Sequence, residues 1–308
     1  LNSKSGEGTR KVLVVVQYTA SMILLCGTLI VFAQLNFMRN QSLGVKTDQT
    51  LVVKFPGRTE GMNTKLEAMK KAIARLPLVD KVTFSGAVPG EEVATFLSNR
   101  RKSDALKQNR LYEMLVCDPD YIDAYGLQLV AGRGFSEDYG DDVNKLVVNE
   151  SAVRNLGIAS NEEALGEEIE VECTDAPMQI IGVVKDYHQQ ALNKNYTPIM
   201  LIHKDKIGWL PQRYISIVMK SGDPKELVSQ VEEIWHRYFE DSSYDFFFLD
   251  QFFDHQYRQD EVFGVMIGCF TGLAIFISCL GLWVLVMFSC TTRTKEMGIR
   301  KELGATRW

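Results

Sequence analysis

The sequence predicts a membrane protein in which two apolar helices enclose a large α+β domain. Residues 12–38 and 262–292 contain no Asp, Glu, Lys or Arg. Each run exceeds the roughly 20 apolar residues that a helix needs to cross a bilayer. Between the two runs, helical and alternating apolar patterns with Gly, Asp and Asn between them indicate a folded domain. The mean hydropathy of −0.07 is an average over the apolar runs and the more polar domain between them, so it describes neither part.

The distribution of charge predicts the side of the membrane on which each part lies. Residues 1–11 carry a net charge of +2 and residues 293–308 carry +3, whereas the whole chain carries −5. The stretch 12–292 is therefore strongly acidic. Because positive flanks stay on the cytoplasmic side, both ends are predicted inside and the acidic domain outside. The acidic balance also argues against nucleic acid as a partner.

A cleaved signal peptide is the alternative interpretation of residues 10–33. Arg10-Lys11 and Val31-Phe32-Ala33 resemble the basic start and the cleavage site of such a peptide. The apolar run is longer than that of a usual signal peptide, which favours a spanning helix. The chain begins with Leu1, and we expect it to be a piece of a longer polypeptide, cut at both ends.

The outside domain is predicted to begin and end with similar strand–helix–strand units. The elements of the first unit are Leu51–Phe55, Asn63–Arg75 and Val82–Ser85. Those of the last are Tyr214–Met219, a helix opened by the N-cap and proline of Asp223-Pro224, and Asp245–Leu249. Two βαβ units around one sheet predict a split, ferredoxin-like α+β layer.

The middle of the domain, about residues 132–192, is predicted to be a small β-rich subdomain inserted between the two units. Its short strands and its short helix are Lys145–Asn149, Glu168–Cys173, Gln179–Lys185 and Ser151–Leu156. Cys117 and Cys173 lie in the outside domain, and two cysteines do not make a disulfide framework. We expect these two thiols to be unpaired.

No part of the sequence contains a strong motif of catalytic residues, so we do not expect an enzyme. The four histidines lack the spacing of a zinc site. The sequence has neither a phosphate-binding loop nor a dinucleotide fingerprint. We therefore expect no catalytic residue, no metal and no cofactor of its own.

Three glycines in the second apolar run, Gly264, Gly268 and Gly272, recur at every fourth position. Small residues on one stripe allow transmembrane helices to pack closely, against the first span or against a partner. The alternative is that glycine is simply common in membrane helices. We take these three residues as candidate helix-packing positions.

The segment after the second apolar run is basic and contains two glycines. Glu296 and Arg300 are spaced for a helical ion pair, and Gly298 and Gly304 would allow another surface to approach the backbone. One interpretation is a short helix that docks onto a cytoplasmic partner. The other is an ordinary positive flank of a membrane span.

The sequence of this segment resembles the cytoplasmic signature of the FtsX-like permease family, which includes the MacB-type transporters. The matching residues are Arg293-Thr-Lys-Glu-Met-Gly-Ile-Arg-Lys-Glu-Leu-Gly-Ala. Other segments are similar to the family's periplasmic core and membrane spans. They are Arg10–Gln17, Gly126–Phe135 with Gly132-Arg-Gly-Phe, Val148–Ser151, Ile180–Asp186, Phe248–Tyr257 and Leu273–Leu282. The similarity covers nearly the whole chain.

The resemblance implies a permease that couples ATP hydrolysis by a separate cytoplasmic ATPase to conformational change of a periplasmic domain, for export or efflux. ATP would be bound by that partner subunit. The ATPase-coupling residues implied by position are Arg293, Lys295, Glu296, Gly298, Ile299, Arg300, Lys301 and Gly304. The family's third and fourth spans are absent from this sequence, which corresponds to the second module of a long permease.

The resemblance also implies a domain plan for a multi-pass protein of the bacterial inner membrane. The plan is a cytoplasmic flank (1–11), a first transmembrane helix (12–38), a MacB-like periplasmic core (39–261), a second transmembrane helix (262–292) and the coupling segment (293–308). The implied partners are the ABC ATPase, a second permease copy or module, membrane lipid, and a periplasmic or outer-membrane protein. The alternative from another class is a two-span sensor or receptor with a periplasmic ligand-binding domain.

Overall fold

A computed structural model describes residues 3–40, 43–56, 62–104, 108–140, 142–190, 195–240 and 242–302. The chain divides into two units. The helical unit comprises residues 1–41 and 257–308, and the α+β unit comprises residues 42–256.

The helices and strands alternate along the chain. The helices are α1 (Ser3–Asn40), α2 (Met62–Ile73), α3 (Tyr121–Ala124), α4 (Glu150–Asn155), α5 (Pro224–Tyr238) and α6 (Leu249–Glu302), with a 3₁₀ turn at Asp142–Asn144. The strands are β1 (Thr50–Lys54), β2 (Val79–Ser85), β3 (Phe96–Arg101), β4 (Arg110–Cys117), β5 (Leu129–Gly132), β6 (Lys145–Asn149), β7 (Glu168–Glu170), β8 (Met178–Val184), β9 (Ile199–His203), β10 (Tyr214–Met219) and β11 (Asp245–Phe248).

The helical unit contains α1 and most of α6. Each helix includes a stretch that is long and apolar enough to cross a membrane, Val12–Phe37 in α1 and Val262–Ile299 in α6. The charge-free runs 12–38 and 262–292 are therefore helical, as the sequence predicts.

Four strands of the α+β unit lie in the order β11-β1-β10-β2, and each neighbouring pair is antiparallel. The two helices α2 and α5 contribute their apolar faces to the core beside these strands. Helix α5 begins as the sequence predicts, because the side chain of Asp223 accepts a hydrogen bond from Lys225 N at 2.9 Å and Pro224 occupies the first turn.

Six further strands form a closed circuit in the order β4-β3-β7-β8-β6-β9, with β9 pairing back onto β4. The β4–β9 and β6–β8 pairs are parallel, and the other pairs in the circuit are antiparallel. Strand β5 lies outside the circuit and pairs with β8. A second hydrophobic core fills this part of the unit.

The strand pairing corrects the predicted extent of the small β-rich insertion. All eleven strands of the described residues belong to one mixed sheet, in which β2 pairs with β4. The circuit takes strands from Phe96–Arg101 to Ile199–His203, well beyond the predicted 132–192 subdomain. Strand β9 is buried along its whole length and lacks the alternation of a half-buried strand. Its pairing with β4 is non-local and leaves no local pattern.

Candidate functional site

Residues 293–302 of the predicted ATPase-coupling segment form the last part of α6, a single helix of 54 residues. Four of the predicted coupling residues are exposed on it: Arg293, Lys295, Gly298 and Ile299. Three more lie in the same helix: Glu296, Arg300 and Lys301. Gly304 lies outside the described residues. An added Cβ atom at Gly298 would meet nothing within 4 Å, so the described structure leaves space there for another surface.

Two pairs of hydroxyl groups join α1 to α6 within the charge-free runs. The hydroxyl oxygens of Ser21 and Ser278 are 2.7 Å apart, as are those of Thr28 and Thr271. All four residues are buried between the helices. The partners lie seven residues apart on each helix and in opposite order, so the helices run antiparallel with a regular two-turn repeat.

The sequence analysis missed these hydroxyl pairs. The available signal was the seven-residue spacing of serine and threonine within both charge-free runs. Interhelical hydrogen bonds matter in a bilayer because lipid offers no alternative partner to a buried hydroxyl group. The four side chains therefore fix the register of the α1–α6 pair.

Two of the three predicted packing glycines face α1. An added Cβ atom at Gly264 would lie 3.0 Å from Leu35 Cδ1, and one at Gly268 would lie 3.7 Å from the ring of Phe32. An added Cβ atom at Gly272 would meet nothing within 4 Å, so this glycine does not pack against α1 and its packing against a partner stays a prediction. A four-residue step turns a helix by about 40° beyond a full turn, so the stripe drifts away from α1.

We expect Thr28→Val and Thr271→Val, combined in a double-mutant cycle, to show a coupling energy of about 0.6 kcal/mol. The effect is small because the Thr28 hydroxyl can also donate to Leu24 O within α1, at 2.8 Å. The measurement is reversible unfolding of the full-length protein in mixed micelles. Thr19→Val is the control, since Thr19 is exposed and its hydroxyl donates to Val15 O within α1 at 2.9 Å. Additive effects of the two substitutions would contradict a direct Thr28–Thr271 interaction.

In the α+β unit, two of the segments that resemble the permease family meet at a close backbone crossing. Gly132 on β5 is the register partner of Gly182 on β8. An added Cβ atom at Gly182 would lie 2.1 Å from the carbonyl oxygen of Arg133, and one at Gly132 would lie 2.2 Å from that of Ile181. Gly132 also has a φ of +68°. Only glycine fits both positions without backbone movement.

One of these two segments, Ile180–Asp186, also meets a third, Val148–Ser151, where the parallel strands β6 and β8 end. The side-chain oxygen of Asn149 accepts from Ala152 N at 2.9 Å, capping α4, and from Ile199 N at 3.0 Å. Ser151 donates to the carboxylate of Asp186 through its backbone N–H at 2.8 Å and through its hydroxyl at 2.9 Å. These contacts give Val148–Ser151 and Ile180–Asp186 a structural role in holding the strand ends together.

The buried carboxylate of Asp118, which pairs with Lys70, also has a structural role. The carboxylate of Asp118 accepts from Lys70 Nζ at 2.6 Å, from the Thr83 hydroxyl at 2.5 Å and from Phe84 N at 3.0 Å. Burial alone would lower the pKa of Lys70, but the neighbouring carboxylates of Asp118 and Asp120 raise it. The protein's own donors thus bind this carboxylate and tie α2 to β2.

The described residues contain no group of three or more His, Cys, Asp or Glu side chains that could hold a metal ion. The two cysteines of the α+β unit are free, with Cys117 buried and Cys173 exposed. Burial raises the pKa of the Cys117 thiol well above its ordinary value. This thiol is therefore held in its unreactive, protonated form.

The family model described as the MacB-like periplasmic core domain matches residues 20–234. The chain belongs to this family. The resemblance found in the sequence is thereby confirmed, and the α+β unit contains most of the MacB-like periplasmic core. Together with its two apolar helices, the match identifies an inner-membrane protein with a periplasmic domain.

Relatives of this MacB-like chain include export permeases. It is 25% identical over 192 residues to a probable export ATP-binding/permease protein of Pseudomonas fluorescens, covering 60% of this chain and 29% of the relative. It is 27% identical over 198 residues to the macrolide export ATP-binding/permease protein MacB of Aggregatibacter actinomycetemcomitans, with the same coverages. This chain thus spans less than a third of the length of either relative.

A solved structure is also similar to the MacB-like chain. The periplasmic region of MacB from Actinobacillus actinomycetemcomitans aligns with a TM-score of 0.47 and 16% sequence identity. The alignment covers 70% of this chain and 94% of that region.

Proposed function

We propose that this chain is part of the permease subunit of an ABC-type transporter of the FtsX/MacB kind. A separate cytoplasmic ATPase hydrolyses ATP, and the permease passes the resulting movement to its periplasmic domain for export or efflux. The observation that carries this proposal is the continuity of α6. One helix connects the end of β11 in the α+β unit to the basic segment that resembles the family's coupling signature.

The length and composition of α6 suit it to transmit movement. Its 54 residues extend for about 80 Å, well beyond the roughly 30 Å of a bilayer core. It contains no proline, the residue that most often kinks a long helix. We therefore expect a displacement of one end of α6 to reach the other end without being absorbed by a kink in the helix.

The two hydroxyl pairs between α1 and α6 support the same function. They hold the helices in one register, so that we expect both helices to move together when the coupling segment is pushed. In this proposal both chain ends are cytoplasmic, as the positive flanks indicate, and the protein is multi-pass. The β11-β1-β10-β2 strands with α2 and α5 form the ferredoxin-like layer nearest in sequence to the two spans.

The proposed partners follow from this arrangement. An ATPase contacts the coupling segment, lipid surrounds the apolar helices, and a second permease copy or module completes the membrane part. A periplasmic or outer-membrane protein receives the movement or the exported compound. Nucleic acid has no place in this scheme, and we propose no catalytic residue, metal or cofactor in the permease itself.

The test is co-purification of the full-length protein in detergent with ATP-binding subunits from its own cell. We expect an ABC ATPase to be recovered in a fixed ratio, because the coupling segment needs a partner in order to act. A matched preparation that ends before residue 293 serves as the control and should recover none. If the full-length protein recovers no ATPase either, the permease function is contradicted.

A further inference from the structure

Four residues directly after Asp186 connect separate parts of the α+β unit. We call residues 187–190 the bridge segment. Its side chains are buried: Tyr187 and Gln189 are both 2% exposed, and His188 is 6% exposed. Burial lowers the pKa of His188, which favours the neutral form. A buried segment without regular secondary structure must satisfy its backbone through specific contacts, and these contacts identify its neighbours.

The bridge segment is attached to the closed circuit of strands at both of its ends. At its start, Asp186 accepts hydrogen bonds from Ser151, beside the ends of β6 and β8. At its end, the side chain of Gln190 donates to Glu113 Oε1 on β4 at 2.8 Å. Movement of the circuit therefore carries the segment with it.

The segment also contacts the chain that emerges from α1. His188 N donates to the carbonyl oxygen of Leu43 at 3.0 Å. An added Cβ atom at Gly44, where φ is +75°, would lie 3.2 Å from Tyr187 Cβ. Leu43 follows the last residue of α1, Asn40, by three positions. The bridge segment is thus hydrogen-bonded to a residue that lies only three positions after the end of the first membrane helix.

Gln189 extends the connection to the start of α6. Its side-chain amide donates to the carbonyl oxygens of Val88 at 2.8 Å and Glu91 at 3.0 Å, and its backbone carbonyl oxygen accepts from Gly90 N at 2.9 Å. Gly90, with a φ of +91°, lies against the ring of Phe253, where an added Cβ atom would be 2.7 Å from Cζ. Three hydrogen bonds from one buried residue thus fix the loop that supports Phe253.

We call Leu249–Phe253 the root of α6. Leu249 is completely buried and Phe253 is 4% exposed, so the root is packed into the α+β unit at both of these positions. A change in the position of the root must displace Gly90, because the ring leaves no free space there. The loop of Val88–Glu91 cannot move alone while Gln189 holds it.

We propose that Gln189 is a positioning residue that passes movement between the root of α6 and the closed circuit of strands. This proposal rests on the proposed function, in which α6 carries movement from the ATPase. The bridge segment is the place where the root of α6, the chain after α1 and the circuit are all held by one short stretch. Buried hydrogen bonds suit this role, because no water is available to replace a lost partner.

The first experiment measures whether Gln189 ties the root in place. Hydrogen exchange is followed in the full-length protein in lipid nanodiscs. Gln189→Met keeps the size of the side chain and removes both donors, so exchange at Gly90 and in the root of α6 should rise about tenfold. Gln230→Met is the matched control, since the Gln230 amide on α5 donates to Glu226 four residues away. Unchanged exchange at the root would overturn the proposal.

The second experiment measures transmission, which a merely structural role would not affect. The full-length protein is bound to its ATPase, and exchange is compared before and after addition of a non-hydrolysable ATP analogue. In Gln189→Met the response at the root should persist, while the response in β6, β8 and β9 should fall at least about threefold. An equal response of these strands in both proteins would overturn the proposal.

A second variant covers the case in which Gln189→Met does not fold. Phe253→Leu leaves every bond of Gln189 in place and removes the ring that contacts Gly90, so it should give the same loss of response in the strands. A normal strand response in this variant would contradict the proposal. If the unmutated protein binds no ATPase, the proposed function fails, while the exchange measurement without nucleotide still decides whether Gln189 ties the root.

Discussion

Gly182→Ala is expected to lower the free energy of unfolding of the α+β unit by about 3 kcal/mol or more. The new Cβ atom would lie 2.1 Å from the carbonyl oxygen of Arg133 and 3.0 Å from its carbonyl carbon. These are backbone atoms, which no side-chain rotation can move away. Arg133 N in turn donates to Ile181 O at 3.0 Å, so moving one strand breaks the pairing of β5 with β8.

Thermal unfolding of the full-length protein in detergent tests this expectation. A loss of about 3 kcal/mol corresponds to a midpoint lower by roughly 6 to 12 °C in a domain of this size. Gly140→Ala is the matched control, because its added Cβ atom would meet nothing within 4 Å. We expect its midpoint to change by no more than about 1 to 2 °C. Equal midpoints for the two variants would show that β5 does not approach β8 as closely as described.

Gly298→Leu and Arg300→Glu are each expected to reduce ATPase capture by the full-length protein at least tenfold while leaving its folding intact. Loss of one partner of a buried, hydrogen-bonded charge pair at an interface costs about 2–5 kcal/mol, and about 1.4 kcal/mol is a factor of ten in affinity. Folding should survive because Gly298 is exposed with open space around it. Leucine is also a better helix former than glycine.

The measurement is quantitative pull-down of the ATPase, together with nucleotide hydrolysis by the complex in nanodiscs. Arg237→Glu makes the same charge reversal on α5, where Arg237 pairs with Glu233 on an exposed surface. This control should capture the ATPase normally. Full capture and normal hydrolysis in both coupling variants would remove the last part of α6 from the interface with the ATPase.

Most of the local structure could be predicted from the sequence because it depends on short-range patterns. The Asp223-Pro224 pair predicts the start of α5, and alternating apolar residues predict β10 with its observed bounds. The charge-free runs likewise predict the helical parts of α1 and α6. In each case, neighbouring residues alone supply the cap, the alternation or the apolar length.

The closed circuit of strands was harder to predict because the strands that pair in it are distant from one another in the chain. Strand β4 pairs in parallel with β9, and both are largely buried, so neither shows a clean alternation. Parallel pairing needs a long connection and leaves no hairpin signal in the sequence. For this reason the predicted insertion of residues 132–192 captured only part of the circuit.

The candidate site divides in the same way. The coupling segment was predicted from its charges, glycines and family resemblance, all of which lie within one stretch of sequence, and its role stays a prediction. The α1 face of Gly264 and Gly268 was also indicated by spacing, whereas Gly272 was not distinguished from them. The hydroxyl pairs and the bridge segment required the structure, since Ser21, Thr28 and Gln189 look ordinary in the sequence.

The sequence alone identified a MacB-like membrane chain with two apolar helices and an acidic domain between them, and it predicted that the basic end is cytoplasmic. Composition and charge decide these properties, because partition into a bilayer depends on apolar length and on flanking charge. The hydroxyl pairs across α1 and α6, and the hydrogen bonds from Gln189 to the loop beside the root of α6, became visible only in the folded chain. Such contacts depend on atoms brought together from distant positions, and their energy exists only once the chain has folded.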